Sequence, residues 1–230
     1  MLPQLILIPG LLNDADLWRD QVAGLSDVAR PVVADITRGE TLAELAAQVL
    51  SLADDRFAMA GFSLGGIVAQ DIMRITPGRV THLALLDTTM LADRPDRAAE
   101  RQRLIALARS PGKFHGFGEK LLETYLAPQN LSNATMAARV RGMTERLGPE
   151  VFVRQSLIDR PDSRATLRWL RCPVLVLCGE HDALTAPALH RDMAVEIPDS
   201  RLVIVRDAGH LTPIEQPEAV NAALRQLLSR

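Results

Sequence analysis

The sequence predicts an α/β fold, with about six strands in an open, mainly parallel sheet and helices on both faces. Two observations carry that expectation. Six short runs are apolar at every position, and helix-like amphipathic segments lie between them. The runs are Leu5–Ile8, Pro31–Ala34, Phe57–Ala60, Leu83–Leu86, Val174–Leu177 and Leu202–Val205. Unbroken apolarity over about four residues suits strands buried on both faces. Thr41-Leu42-Ala43-Glu44 reads as a capping box that opens a helix to Leu52. A second helix begins near Ser63, and a last one runs from Pro217, a favourable first-turn residue, to Leu228.

The stretch 91–167 departs from this rhythm. It holds no apolar run of the strand type, only helical patterns such as Ala98–Ala108, Lys120–Leu126 and Ala137–Leu147. One crossover needs a single helix, so several in a row predict a helical lid, with 1–90 and 168–230 forming the core domain. The other reading makes them ordinary crossover helices.

Composition narrows the function. The 230 residues carry a formal net charge of −2 and a 23% charged fraction, so no general field draws in nucleic acid or anionic lipid. The apolar start, Leu5–Leu12, has no basic flank and is cut by Pro9-Gly10. It is too short to span a membrane and lacks the layout of a signal peptide. Two cysteines, Cys172 and Cys178, fit a reduced chain, and the expected location is cytoplasmic.

Gly61-Phe62-Ser63-Leu64-Gly65 is a G-x-S-x-G pattern directly after the third apolar run and directly before a helix. That context predicts a sharp turn which strains the serine and lifts its hydroxyl off the carboxyl edge of the sheet. The flanking glycines remove side chains that would collide there. An N-cap serine with packing glycines is the plainer alternative.

A serine nucleophile needs a base near neutrality, and five histidines are available. His82 enters a strand and reads as structural. His115 falls in the helical stretch, and His190 in an amphipathic helix where a solvated face is expected. His210 follows the last strand by the short loop Arg206-Asp207-Ala208-Gly209, which puts it on the edge that carries Ser63. The orienting carboxylate is expected at Asp182, just past the fifth run. Asp87, at the end of the fourth run, and Glu180, two residues away, are the rivals. Two backbone amides must meet the oxyanion that forms during acyl transfer. One is Leu64; the other is Leu11, with Leu12 second, in the loop Pro9–Asn13. Leu12, Phe62, Leu184 and Leu211 flank these residues and suggest an apolar acyl pocket. Eight arginines, at 94, 97, 101, 103, 109, 139, 141 and 146, read as a solvated helix face or as anchors for an anionic group.

Together these segments resemble the α/β-hydrolase superfamily in its small serine esterase and lactonase branch. The resemblance rests on Pro9-Gly10-Leu11-Leu12-Asn13 with Trp18, Gly61–Gly66, Leu177–Asp182 and Ala208–Leu211. It implies that the chain starts at the family's third strand. It also implies hydrolysis of a small ester, thioester or lactone with neither metal nor cofactor. Members usually carry His-Gly where this chain has Pro9-Gly10. The tail Gly209–Glu218 is similar to that of enol-lactone hydrolases, whereas several carbon–carbon bond hydrolases carry tryptophan where Leu211 stands. Serine at 63 departs from the haloalkane dehalogenases, which use aspartate. A ligand sensor built on the same triad, with little turnover, is the other function class compatible with these residues.

Overall fold

The computed structural model describes residues 2–110 and 118–230; His115 lies outside them. Among the described residues six strands form one all-parallel sheet in the order β2-β1-β3-β4-β5-β6. They are β1 (Gln4–Ile8), β2 (Arg30–Val33), β3 (Phe57–Phe62), β4 (Val80–Leu86), β5 (Val174–Gly179) and β6 (Ser200–Val205). All six apolar runs are therefore strands. Side chains alternate faces along them. Leu5, Leu7, Ala58, Ala60, Leu175 and Leu177 enter one core layer. Ile6, Ile8, Phe57, Met59, Val174 and Val176 enter the other.

The first layer is covered by α1 (Arg19–Leu25) and α10 (Pro217–Leu228), through Leu25, Val220 and Leu224. The second is covered by α2 (Leu42–Ser51), α3 (Leu64–Ile75) and α8 (Pro187–Glu196), through Val49, Ile72 and Met193. Thr41 caps α2 as expected, its side chain accepting from the Glu44 amide. The return arm of the box differs: Glu44 accepts from the Glu40 amide, one residue earlier than the capping pattern requires.

Between β4 and β5 the described residues contain helices and no strand. They are α4 (Pro95–Ala108), α5 (Glu119–Tyr125), α6 (Ala134–Leu157) and α7 (Arg164–Leu167). Helix α6 runs ten residues beyond the Ala137–Leu147 pattern because the chain breaks at Gly148, with φ of 72°, and restarts at Pro149. The two halves act as separate helices.

Parallel strands deliver every βα loop to one edge, and the order reverses between β1 and β3. The loops after β5 and β6 are also in contact there. A Cβ on Gly179 would overlap the Ala208 and Gly209 carbonyl oxygens, and the His181 N–H donates to the Ala208 carbonyl at 2.9 Å. Gly179→Ala is expected to lower stability by about 2–4 kcal/mol, measured by urea unfolding; a change near zero would mean that this approach is not tight.

Candidate active site

Ser63 sits between β3 and α3 with φ of 52° and ψ of −116°, a backbone conformation that side-chain-bearing residues rarely adopt. Its neighbours hold it there. The Ser63 N–H donates to the Leu86 carbonyl at 2.9 Å, and its carbonyl accepts from the Thr88 hydroxyl and the Gly66 amide. A Cβ on Gly65 would overlap the carbonyls of Ile8 and Pro9, so α3 starts in direct contact with the end of β1. Ser63 is partly exposed, while the rest of the turn is buried.

His210 follows β6 and is 2% exposed. Its Nε2 lies 3.1 Å from Ser63 Oγ, and its Nδ1 lies 2.9 Å from Asp182 Oδ2. The three side chains form one hydrogen-bonded line across 147 residues of sequence. Burial pushes the Asp182 carboxyl up, but the adjacent His210 and donors from Thr185 outweigh it and hold the group below the usual carboxylate range. Those donors are the Thr185 hydroxyl at 2.7 Å and amide at 2.9 Å; the Leu184 amide adds a third at 2.8 Å. The imidazole packs against Phe62, centroids 5.2 Å apart, and meets Tyr125 edge-on at 5.4 Å.

The rival acids stand elsewhere. Asp87 accepts from the Gly179 amide at 3.0 Å and pairs with the Thr212 hydroxyl, and is not bonded to His210. Burial and the neighbouring Asp182 push its carboxyl well above the usual range. Glu180 is exposed. In the loop after β1, the Leu12 N–H donates to Gln155 Oε1 at 2.8 Å, whereas the Leu11 N–H meets no acceptor among the described residues. Leu64 is the first residue of α3, where an amide has no partner within the helix. Leu12, Phe62 and Leu211 are fully buried in one core layer, and Leu184 is half-buried. A cleft of about 590 Å³ lies between the end of α4 and the second half of α6 and is lined by none of these residues.

Two expectations are corrected. His190 has no solvated face: it is fully buried, its Nε2 accepts from the Thr88 amide at 3.1 Å, and burial lowers it to about 4. The arginines are not uniformly solvated either. Arg94 and Arg103 are exposed, but the Arg139 side chain is 9% exposed and is held by Asp16 and Asp20. His82 is half-buried.

Two groups at the site were given no role by the sequence, although Glu215 falls in the Gly209–Glu218 tail. Gln155 bridges the loop after β1 to the Ile36 carbonyl. Glu215 accepts from the Gly209 and Leu211 amides on one side and from the Ala127 amide and Asn130 on the other. It thereby ties the His210 loop to the segment after α5. Among the described residues no three His, Cys, Asp or Glu side chains converge as a metal site.

A parallel sheet with a strained serine after its third strand and a buried histidine after its last is the architecture of a hydrolase. The chain belongs to the alpha/beta hydrolase family, whose profile it matches over residues 5–223. The pimeloyl-[acyl-carrier protein] methyl ester esterase of Aromatoleum aromaticum is 29% identical over 193 residues, covering 79% of this chain and 77% of its own. A thermophilic esterase from Thermogutta terrifontis, solved with malate bound, superposes with a TM-score of 0.86 at 30% identity. That match covers all of this chain and 90% of the esterase. The enol-lactonase from Burkholderia xenovorans LB400 gives 0.88 at 25% identity, over all of this chain and 92% of its own.

Buried His190 makes stability depend on pH. Its folded value of about 4 lies below the ordinary 6.5. Between these values the unfolded chain binds a proton that the folded chain does not. Its contribution is therefore complete above pH 6.5 and is lost as pH falls toward 4. Relative to His190→Gln, the natural protein is expected to lose about 2–3 kcal/mol between pH 7 and 4, read as the difference between their urea unfolding free energies. Parallel pH profiles would refute this.

Proposed function

We propose that the protein is a serine carboxylesterase that acts on a small, largely apolar ester through an acyl-enzyme on Ser63. The observation that carries this reading is the unbroken line from Ser63 Oγ through both ring nitrogens of His210 to Asp182 Oδ2. In the first half-reaction Ser63 Oγ attacks the ester carbonyl carbon while His210 Nε2 takes the hydroxyl proton. Asp182, held ionised, fixes the Nδ1–H tautomer and stabilises the imidazolium. The Leu11 and Leu64 amides receive the oxyanion. The tetrahedral adduct collapses, the C–O bond to the alcohol breaks, and His210 returns its proton to the leaving oxygen. Water then attacks the acyl carbonyl with His210 again as base, releasing the carboxylic acid and restoring Ser63. Leu12, Phe62, Leu184 and Leu211 supply the apolar surroundings in this reading. The esterase names of two relatives support an ester, and the enol-lactonase name of a third supports a lactone as the alternative substrate.

Residues 91–167 act as a cap in this scheme. Tyr125 lies against His210, and Gln155 holds the loop that carries Leu11, so both reach the site from the insertion. Among the described residues no helix is long and apolar enough to cross a membrane. Two free thiols, Cys172 and Cys178, fit a reducing cytoplasm.

Ser63→Ala is expected to abolish hydrolysis of p-nitrophenyl butyrate while leaving the thermal melt unchanged; full turnover would remove the proposal. Asp182→Asn keeps the shape but loses the charge that selects the tautomer, and kcat is expected to fall by about 10³–10⁴-fold, measured with the same ester.

A further inference from the structure

Gln155 is fully buried, and the two ends of its side-chain amide are bonded to different loops. Its Oε1 accepts from the Leu12 N–H at 2.8 Å, and its Nε2 donates to the Ile36 carbonyl at 3.1 Å. One partner is a donor and the other an acceptor, so neither a carboxylate nor an apolar chain of the same length satisfies both. The residue reaches Leu12 from the insertion, 143 positions along the chain.

The loop it holds cannot hold itself. Pro9, Gly10, Leu11 and Leu12 carry no polar side-chain atom. A turn closes there through the Asn13 N–H and the Gly10 carbonyl at 3.2 Å, with Leu12 in its third position at φ of 53°. Positive φ at that position marks a type II turn and is ordinarily left to glycine or asparagine. A leucine there is strained, and the common type I turn, with the central peptide turned over, would relieve it. The central peptide is the one between Leu11 and Leu12, and its N–H is the group that Gln155 takes. The loop also lies against the nucleophile's turn, since a Cβ on Gly10 would overlap the ring of Phe62, next to Ser63.

Gln155 is itself firmly placed. It belongs to the second half of α6, which restarts at Pro149. Arg154, beside it, is hydrogen-bonded to the Thr37 carbonyl, so this helix is docked on the loop after β2 at two successive residues. The last carbonyls of a helix lack partners within it. Arg160 supplies them here, donating to the Ile158 carbonyl at 2.8 Å and reaching the Gln155 carbonyl at 3.4 Å.

We infer that Gln155 is a positioning residue for the oxyanion: by taking the Leu12 N–H it holds the Leu11–Leu12 peptide in its strained orientation and leaves the preceding Leu11 N–H to the substrate oxygen. This rests on the serine esterase reading above, in which Leu11 receives the oxyanion. Without Gln155 the Leu12 N–H is left buried with no acceptor, and the turn relaxes by rotating the peptide next to the Leu11 donor. The effect falls on charge that develops in the transition state and not on the bound ester.

The test uses Gln155→Met, which keeps the length of the side chain and loses both polar contacts, with p-nitrophenyl butyrate as substrate. Its kcat is expected to fall about 10²-fold, as for the loss of one oxyanion donor, with KM within about twofold of the natural value. Gln4→Met is the control. Gln4 is a buried bridge of the same kind at the opposite edge of the sheet, accepting from the Asp54 amide at 2.7 Å and donating to the Leu52 carbonyl at 2.8 Å. Its loss is expected to lower the thermal melt and to leave kcat within about twofold. An unchanged kcat in Gln155→Met, a rise in KM alone, or an equal fall of kcat in Gln4→Met overturns the inference. If Gln155→Met does not fold, Gln155→Asn takes its place: one methylene shorter, it draws the amide back from Leu12, and the same split is expected. Should the natural protein hydrolyse no ester, the esterase reading falls, and amide hydrogen exchange by NMR still decides the turn. Leu12 exchanging about tenfold faster or more in Gln155→Met but not in Gln4→Met upholds its positioning by Gln155, and equal exchange in all three proteins removes it.

Discussion

Backbone strain at Ser63 is the constraint around which the rest of the edge is arranged. A non-glycine residue at φ of 52° costs about 1–3 kcal/mol and persists only where its surroundings leave no alternative. Four residues other than glycine have positive φ among those described, Leu12, Ser63, Asp87 and Asp207. They lie on the loops after β1, β3, β4 and β6, all at the carboxyl edge. Each is tied down by long-range bonds: Leu12 by Gln155, Ser63 by Leu86 and Thr88, Asp87 by Gly179 and Thr212, and Asp207 by Gln129 and Asn130. The opposite edge has no such residue among those described. The strain is therefore concentrated where the loops must cross close to one another, and the buried core provides the free energy that maintains it.

The same crowding separates the roles of two carboxylates. Asp87 and Asp182 lie in the loops after neighbouring strands and feel each other electrostatically. One charge at this edge is stabilised by His210, Thr185 and the Leu184 amide. A second, buried with one amide and one hydroxyl, is disfavoured. Asp87 ties β5 to α9 (Thr212–Glu215) through the Gly179 amide and the Thr212 hydroxyl, with its carboxyl pushed up, while that of Asp182 is held down by His210. The identity of the acid follows from which carboxylate the His210 ring can reach, and that depends on how far the loop after β5 extends.

This explains which features were legible in the sequence. Strands buried on both faces leave a continuous apolar signature, and the G-x-S-x-G turn is a local steric requirement, so both can be read without a fold. The separation of Asp182 from Asp87 is a tertiary fact, since each follows an apolar run, Asp87 directly and Asp182 after a short loop. Gln155 is 143 residues from the amide it holds, and Glu215 is 88 residues from Ala127. Gln155 lies in no motif, and Glu215 lies in the Gly209–Glu218 tail without a partner nearby in sequence to show its role. His190 departs from its sequence pattern for a related reason. Its helix has an ordinary amphipathic pattern, and only the approach of Thr88 from the end of β4 makes the buried position tolerable for an imidazole. Polar residues whose partners are far away along the chain look like surface residues.

The division between core and insertion then has a mechanical meaning. Loops at the strand edges alone bring together Ser63, Asp182 and His210. The loop that presents the Leu11 amide is held by Gln155 on α6, and one flank of the His210 ring is covered by Tyr125 at the end of α5. Both come from the helices between β4 and β5. In the proposed reaction these helices do more than cover the site, because the loop that carries the Leu11 amide is held from α6. A displacement of the second half of α6, which starts afresh at Gly148, would move Gln155 and the carbonyl that Arg160 grips together. In the proposed reaction the placement of the Leu11 amide therefore depends on one short helix outside the strands that carry Ser63, Asp182 and His210.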